Sequence, residues 1–198
     1  FVRLHEEGLI HRKSWLINWC PRCRTALSNL EVEHKEIDGE MWDFAYPLEK
    51  GDGEIVVSTT RPETMLGDTA VAVHPDDDRY RHLIGQRVRH PFQDRAIPII
   101  ADAELADPEV GTGAVKITPA CDFNDFACGL RHGLPSIRII NEDGTLNEDA
   151  APFEGQDRFE ARRLVKEALR EKGLERGSRP HRHAVGHCYR CSTLLEPL

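Results

Sequence analysis

The stretch GTGAVKITPACDFND, residues 111–125, holds a strand, its stop and the start of a helix. Successive side chains of a strand alternate faces, so Lys116 and Thr118 point one way while Val115 and Ile117 point into the core. Pro119 ends the strand. Asp122 then stands at the cap position of a helix running from Phe123 to His132, with Gly133 as its stop, and Asp125 lies in the first turn. A cation, a hydroxyl and two carboxylates therefore converge at one strand end. Asp is common in first helical turns, so a capped helix after a half-buried strand would read the same way if the segment stood alone.

A second polar stretch, STTRPETMLGD at residues 58–68, follows the apolar run Ile55 to Val57 and precedes the strand-like run Thr69 to Val73. Loops after strand ends are where sites are built. Thr59 and Thr60 offer hydroxyls, Arg61 a planar five-donor cation and Asp68 an acceptor beside Gly67.

Outward from these two stretches the chain alternates strand and helix signals. Leu30 to His34 and Met41 to Tyr46 flank the turn-like Ile37-Asp38-Gly39-Glu40 and predict a hairpin. Further strands are expected at Ile55 to Thr60, Thr69 to Val73, Arg87 to His90, Ala96 to Ile100, Gly113 to Thr118 and Ser136 to Ile140. Helices are expected at Pro75 to Ile84, Asp122 to His132 and Asp157 to Lys172, each closed by a glycine. In the last, Ala161, Leu164, Val165, Ala168 and Leu169 form one buried face. Strands without regular helical crossovers predict an α+β fold: a mixed, barrel-like sheet flanked by helices.

At 198 residues and 39% hydrophobic content the chain can bury one ordinary core. No apolar run is long enough to suggest a membrane span, and no signal peptide is recognisable. Phe1 to Gly8 reads as the last turns of a helix already under way, which suggests a piece of a larger protein. A net charge of −8 argues against broad, nonspecific binding of a nucleic-acid backbone. The basic clusters at Arg79 to Arg89 and Arg158 to Arg190 carry acids or histidines among them and read as solvated surface.

Four of the six cysteines form two Cys-x-x-Cys pairs, Cys20 with Cys23 and Cys188 with Cys191. Each pair suits a zinc knuckle, and two knuckles complete a closed structural site for one Zn2+ ion that would join the beginning and end of the chain. Disulfides and a redox pair are the rival readings. His181, His183 and His187 are left out of the ligand set. Cys128 reads as a small core residue, whereas Cys121, beside Asp122, raises the question of a thiol nucleophile.

The two polar stretches, TTRPETMLGDTAVAVHP at residues 59–75 and GTGAVKITPA at residues 111–120, resemble the editing domain of the valyl-tRNA synthetases, an insertion in class I aminoacyl-tRNA synthetases. The resemblance runs from NWCPRCRTALSNLEVE at residues 18–33 to CSTLLEP at residues 191–197. Isoleucyl enzymes show Thr-Pro-Trp-Thr where this chain has Arg61 to Thr64, and leucyl enzymes lack a lysine at the place of Lys116. One departure stands out: the family usually reads Ala-His-Asp where this chain has Ala120, Cys121 and Asp122.

The resemblance implies the same barrel-like architecture and three parts: an N-terminal connection with the first knuckle at 1–35, the editing domain at 36–178 and a C-terminal connection with the second knuckle at 179–198. It implies hydrolysis of the ester in mischarged threonyl-tRNA(Val), with no cofactor and no enzyme nucleophile. Asp125 would accept a hydrogen bond from the threonine hydroxyl, and Asp122 would bind the substrate ammonium. Lys116 and Thr118 would line the pocket, and Lys116 or Arg61 would stabilise the oxyanion. Thr60, Arg61 and Asp68, with Thr59 nearby, would hold the terminal adenosine. Asp68, Asp122 and a ribose hydroxyl remain alternatives for the base that activates water.

The implied partners are the aminoacylated 3′ end of tRNA(Val) and the rest of a cytoplasmic parent enzyme. No membrane partner is implied, and the isolated piece is expected to be monomeric. Neither His-Ile-Gly-His nor Lys-Met-Ser-Lys-Ser occurs, so ATP-dependent aminoacylation would belong to the parent alone. A non-hydrolytic insertion that binds the tRNA end, or serves only as a zinc-bearing structural element, is the alternative.

Overall fold

The computed structural model describes residues 1–10 and 12–198. Its strands are β1 (Asn18–Cys20), β2 (Thr25–Leu27), β3 (Val32–Pro47), β4 (Glu54–Thr59), β5 (Ala70–Val73), β6 (Arg87–Arg89), β7 (Ala96–Ala101), β8 (Ala114–Ile117), β9 (Glu175–Cys188) and β10 (Glu196–Pro197). The α-helices are α1 (Val2–Glu6), α2 (Phe123–His132) and α3 (Arg158–Glu171). Three sheets result, ordered β10-β1-β2, β4-β3-β9 and β6-β7-β5-β8. Of their pairings only β5 with β7 is parallel.

The mixed α+β class stands, but the barrel-like sheet does not close. β4 lies against β8 without a ladder between them. Thr112, just before β8, instead donates its hydroxyl to the Val56 carbonyl of β4 at 2.6 Å. On the opposite flank β3 and β6 share no ladder; the isolated bridge from Leu48 to Val88 and the bond from Glu49 N to the Arg87 carbonyl at 2.8 Å tie the residues just after β3 to β6.

The predicted hairpin at Ile37–Glu40 is not formed. Those residues lie in the middle of β3, which runs unbroken for 16 residues and pairs with β9 from Val32↔Cys188 to Phe44↔Glu175. Gly39 pairs with His181, and a Cβ there would come within 2.6 Å of the His183 ring. The glycine marks a close approach inside a ribbon rather than a turn.

Two further expectations fail locally. Pro75–Ile84 is a run of turns with one short 3-10 stretch at Arg81–Leu83. There the Asp77 carboxylate accepts from the Arg79 backbone at 3.0 Å and the His74 ring from the Asp76 backbone at 3.1 Å, contacts that compete with helical bonds. Of the strand expected at Ser136–Ile140, Ile140 alone is bridged, to Leu146. The other helices form where expected. Asp157 caps α3 by accepting from Phe159 N at 2.8 Å, and Ala161, Val165 and Leu169 are buried along it.

The main core is seated on β3. Trp42, Phe44 and Tyr46 alternate onto one face with ring centroids 5.5 and 5.1 Å apart, packed with Ile55 and Val57 of β4, Val71 and Val73 of β5, and Val165 and Leu169 of α3. A smaller cluster on the other face of β5 and β8 joins Ala70, Ala72 and Ile117 to Cys128 of α2. The β5–β8 pair is thus covered on both sides, and Lys116, opposite Val71 in register, is itself buried.

Candidate active site and thiol cluster

The ends of β4 and β8 and the start of α2 enclose a cavity of about 240 Å³. Thr60, Arg61, Lys116, Thr118, Cys121, Asp122, Asn124 and Asp125 are among its lining residues. The two polar stretches therefore meet. Pro119 and the Asp122 cap make the turn that brings them together: the Asp122 side chain accepts from Asn124 N at 2.7 Å and from Asp125 N at 3.1 Å, and Gly133, at φ 63°, closes the helix.

Lys116 and Thr118 share a face, as strand alternation requires. The lysine ammonium donates to Thr118 Oγ1 at 2.6 Å and to Asp68 Oδ1 at 3.2 Å. Thr118 in turn donates its hydroxyl to Asp68. Burial pulls the Lys116 pKa down, but the carboxylates of Asp68 and Asp125 outweigh it and hold the group above the ordinary ammonium value.

Asp68 is fully buried and lies beneath the lysine, apart from the residues that line the cavity. Tyr46 donates to its second oxygen at 2.6 Å. Burial, and then the Asp68 charge, push the tyrosine pKa well up, so its proton stays in place. Nothing in the sequence marked Tyr46 as part of the site, because alternation on β3 assigns it to the core.

Asp125 Oδ2 accepts from Thr118 N at 2.8 Å. Burial raises its pKa to about 7 against the opposing pull of Lys116, with Asp122 adding to the rise. Cys121 is buried, and desolvation pushes its thiol up to about 12. Such a thiol is protonated at neutral pH, which weakens it as a nucleophile.

The hydroxyl of Thr59 accepts from Arg61 N at 3.0 Å, so it shapes the turn and does not line the cavity, which Thr60 does. The Arg61 guanidinium borders the cavity but is held by Glu196, by Glu63 Oε1 at 3.4 Å and by the Cys121 carbonyl at 3.1 Å. Sequence reasoning passed over Glu63 and Glu196. Glu63 lies within a quoted motif, while Glu196 carries no local signal at all.

A second cluster gathers the chain's two Cys-x-x-Cys pairs. The sulfurs of Cys20, Cys23, Cys188 and Cys191 all lie within 4.8 Å of one another, with Cys20 and Cys191 3.5 Å apart. Four thiolates around one tetrahedral zinc at 2.3 Å would be roughly 3.8 Å apart. The donor set and spacing therefore fit one metal ion, and the sulfurs stand too far apart for disulfides. Cys23 N donates to Cys20 Sγ at 3.3 Å, as a knuckle turn requires. Hydrogen bonding from the Thr193 side chain and backbone holds Cys191 down at about 6, which favours a thiolate there.

Asp102, Cys128 and His132 form another close group, but Arg131 already occupies the Asp102 carboxylate at 2.8 and 3.0 Å. That cluster fastens the end of α2 to the segment after β7. None of the α-helices is long and apolar enough to cross a membrane, among the described residues.

Over its whole length the chain is 55% identical to the valine–tRNA ligase of Carboxydothermus hydrogenoformans and 57% identical to that of Syntrophotalea carbinolica. It spans about a fifth of their length, 22% in each case. Among solved structures, the ternary LeuRS–tRNA–LeuAMS complex of Agrobacterium radiobacter K84 aligns with 99% of this chain and 35% of its own, at a TM-score of 0.53 and 18% identity, a likeness of fold alone. Residues 1–191 match the family described as tRNA synthetases class I (I, L, M and V), and the chain belongs to that family.

Proposed function

We propose that this chain is the editing segment of a valine–tRNA ligase and hydrolyses the ester of threonyl-tRNA(Val). The observation that carries the reading is the cavity in which Asp125, Lys116, Thr118 and Asp122 converge, on a chain so similar to valine–tRNA ligases. Threonine and valine differ by a hydroxyl against a methyl. A hydrophobic synthetic pocket rejects such an isostere weakly, valyl synthetase facing threonine being the reference case, and a second site that demands the hydroxyl supplies the missing discrimination.

Asp125 serves that demand. Ionised, it accepts a hydrogen bond from the threonine hydroxyl; valine offers no donor and would strand a desolvated carboxylate, at a cost of about 1–3 kcal/mol or more. Asp122, exposed at the helix start, receives the substrate ammonium. Lys116 spends two of its three protons on Asp68 and Thr118, leaving one for the oxyanion that forms as water attacks the ester. Asp68, ringed by Tyr46, Lys116 and Thr118, holds the lysine in place. The attacking water gives its proton to Asp122, or to the neighbouring ribose hydroxyl as that hydroxyl passes its own proton to the leaving ribose oxygen, and the acyl–oxygen bond breaks to release threonine and the free 3′ end. Thr60 borders the cavity on the side where the terminal adenosine would lie.

Zn2+ held by Cys20, Cys23, Cys188 and Cys191 would cross-link the two ends of the chain as a structural ion. The parent would be a cytoplasmic enzyme that joins valine to tRNA(Val) with ATP. Deacylation by the intact ligase tests the reading: threonyl-tRNA(Val) should be hydrolysed at least tenfold faster than valyl-tRNA(Val). Equal rates on both would overturn it.

A further inference from the structure

We propose that Glu196 is a positioning residue for the cavity. From β10 of the cysteine lobe it anchors Arg61, and through Arg61 it fixes the turn that carries Asp122 and Asp125. Glu196 is 1% exposed. One carboxylate oxygen takes the Arg61 guanidinium and the other pairs with Arg158 Nε of α3 at 2.7 Å. A single side chain therefore joins the lobe, the loop after β4 and α3.

Arg61 passes the restraint on. Its Nη1 donates to the Cys121 carbonyl at 3.1 Å, one peptide before the residue that caps α2. Its Nε faces Glu63, which Arg162 grips with two bonds of 2.8 Å. The row alternates in sign from Arg162 through Glu63, Arg61 and Glu196 to Arg158, although Arg158 Nε, facing Glu196, makes no well-aligned hydrogen bond, and a half-buried guanidinium robbed of its carboxylate must move or draw in water. The lobe sets where Glu196 stands: β10 pairs with β1 so that Glu196 lies opposite Trp19, next to the first cysteine. The structure thus assigns the lobe a share in holding the shape of the cavity.

Glu196→Gln in the intact ligase tests this, and its kinetic arm rests on the editing reading. The amide keeps the shape and removes the charge. Expected are a fall of at least about tenfold in the deacylation kcat for threonyl-tRNA(Val), a KM changed by less than about twofold, and a lower ratio of threonyl to valyl hydrolysis. That ratio does not depend on how much enzyme is folded, so loss of stability alone leaves it unmoved.

A second arm needs no hydrolysis. Native-state alkylation of the buried Cys121 thiol, followed by mass spectrometry, should quicken severalfold once its carbonyl loses the Arg61 bond. An unchanged ratio together with an unchanged labelling rate would overturn the proposal. Should wild-type ligase fail to prefer the threonyl ester, the editing reading falls, while faster Cys121 labelling in Glu196→Gln still upholds the anchor.

Discussion

Asp125 carries the most consequential charge in the molecule. Its pKa of about 7 lies above the ordinary 3.8 because burial disfavours the carboxylate, and the folded state therefore binds its proton more tightly than the unfolded chain does. The stability it contributes is present below about pH 4 and is lost as pH rises through about 7. Asp125→Asn removes that loss. Its melting temperature should exceed the wild type's at pH 8 and converge with it near pH 4, the gap from 3.8 to about 7 setting a ceiling of ~4 kcal/mol. Asp125→Ala, which removes the acceptor altogether, should abolish the preference for the threonyl ester. In the wild type that preference should climb between about pH 6 and 8, as the carboxylate ionises, which a pH profile of single-turnover deacylation would check.

Lys116 and Asp68 show the opposite balance, two buried charges that satisfy each other at 3.2 Å. Lys116→Met would leave Asp68 unpaired in the core and should lower unfolding free energy by about 3–5 kcal/mol, measurable by denaturant titration. The residues of the cavity were largely legible in the sequence because both motifs are contiguous and each places its polar groups at a strand end. Their partners were not. Tyr46 and Glu196 reach the site from β3 and β10, 22 residues before Asp68 and 135 after Arg61, and neither distance leaves a periodic trace.

At the scale of the element, α2 and α3 were readable from their ends. Each starts on an aspartate that accepts backbone N–H bonds and stops at a glycine, signals spent within a few residues. Asp122→Ala should cost α2 about 1 kcal/mol, seen as a small drop in melting temperature, and should also weaken threonyl-ester hydrolysis, since the same side chain faces the cavity. β3 was misread for the reverse reason. Asp38-Gly39 is a strong hairpin signal locally, yet the partner of Gly39 is His181, far along the chain. Pairing of that range overrides a two-residue preference, and the closeness of the His183 ring and the His181 carbonyl explains the glycine.

For the whole molecule, the sulfur lobe and the candidate site are parts of one framework. The end of β1 with the turn to β2, and the end of β9 with the turn after it, gather four cysteines from opposite ends of the chain, and the small cluster of Leu27 and Leu195 around them buries too little apolar surface to stand alone. Metal analysis of the purified protein should return about one zinc per chain. Chelation should lower the melting temperature, and Cys188→Ser should do the same without added chelator. The meeting of the four cysteines was legible in their spacing, but not the open state of the sheets, which depends on how β4 and β8 approach.

The long β3–β9 ribbon has a mechanical corollary. It runs as a shaft from the thiols to the aromatic wall under Asp68, and side chains along β3 switch sides at every residue, while β9 carries one extra residue, Arg176, opposite Asp43 and Phe44. Lengthening both strands by two residues near Lys35 and Val185 would extend the shaft while every ring beyond keeps its side. One extra residue in β3 alone would turn Trp42, Phe44 and Tyr46 outward and empty the wall.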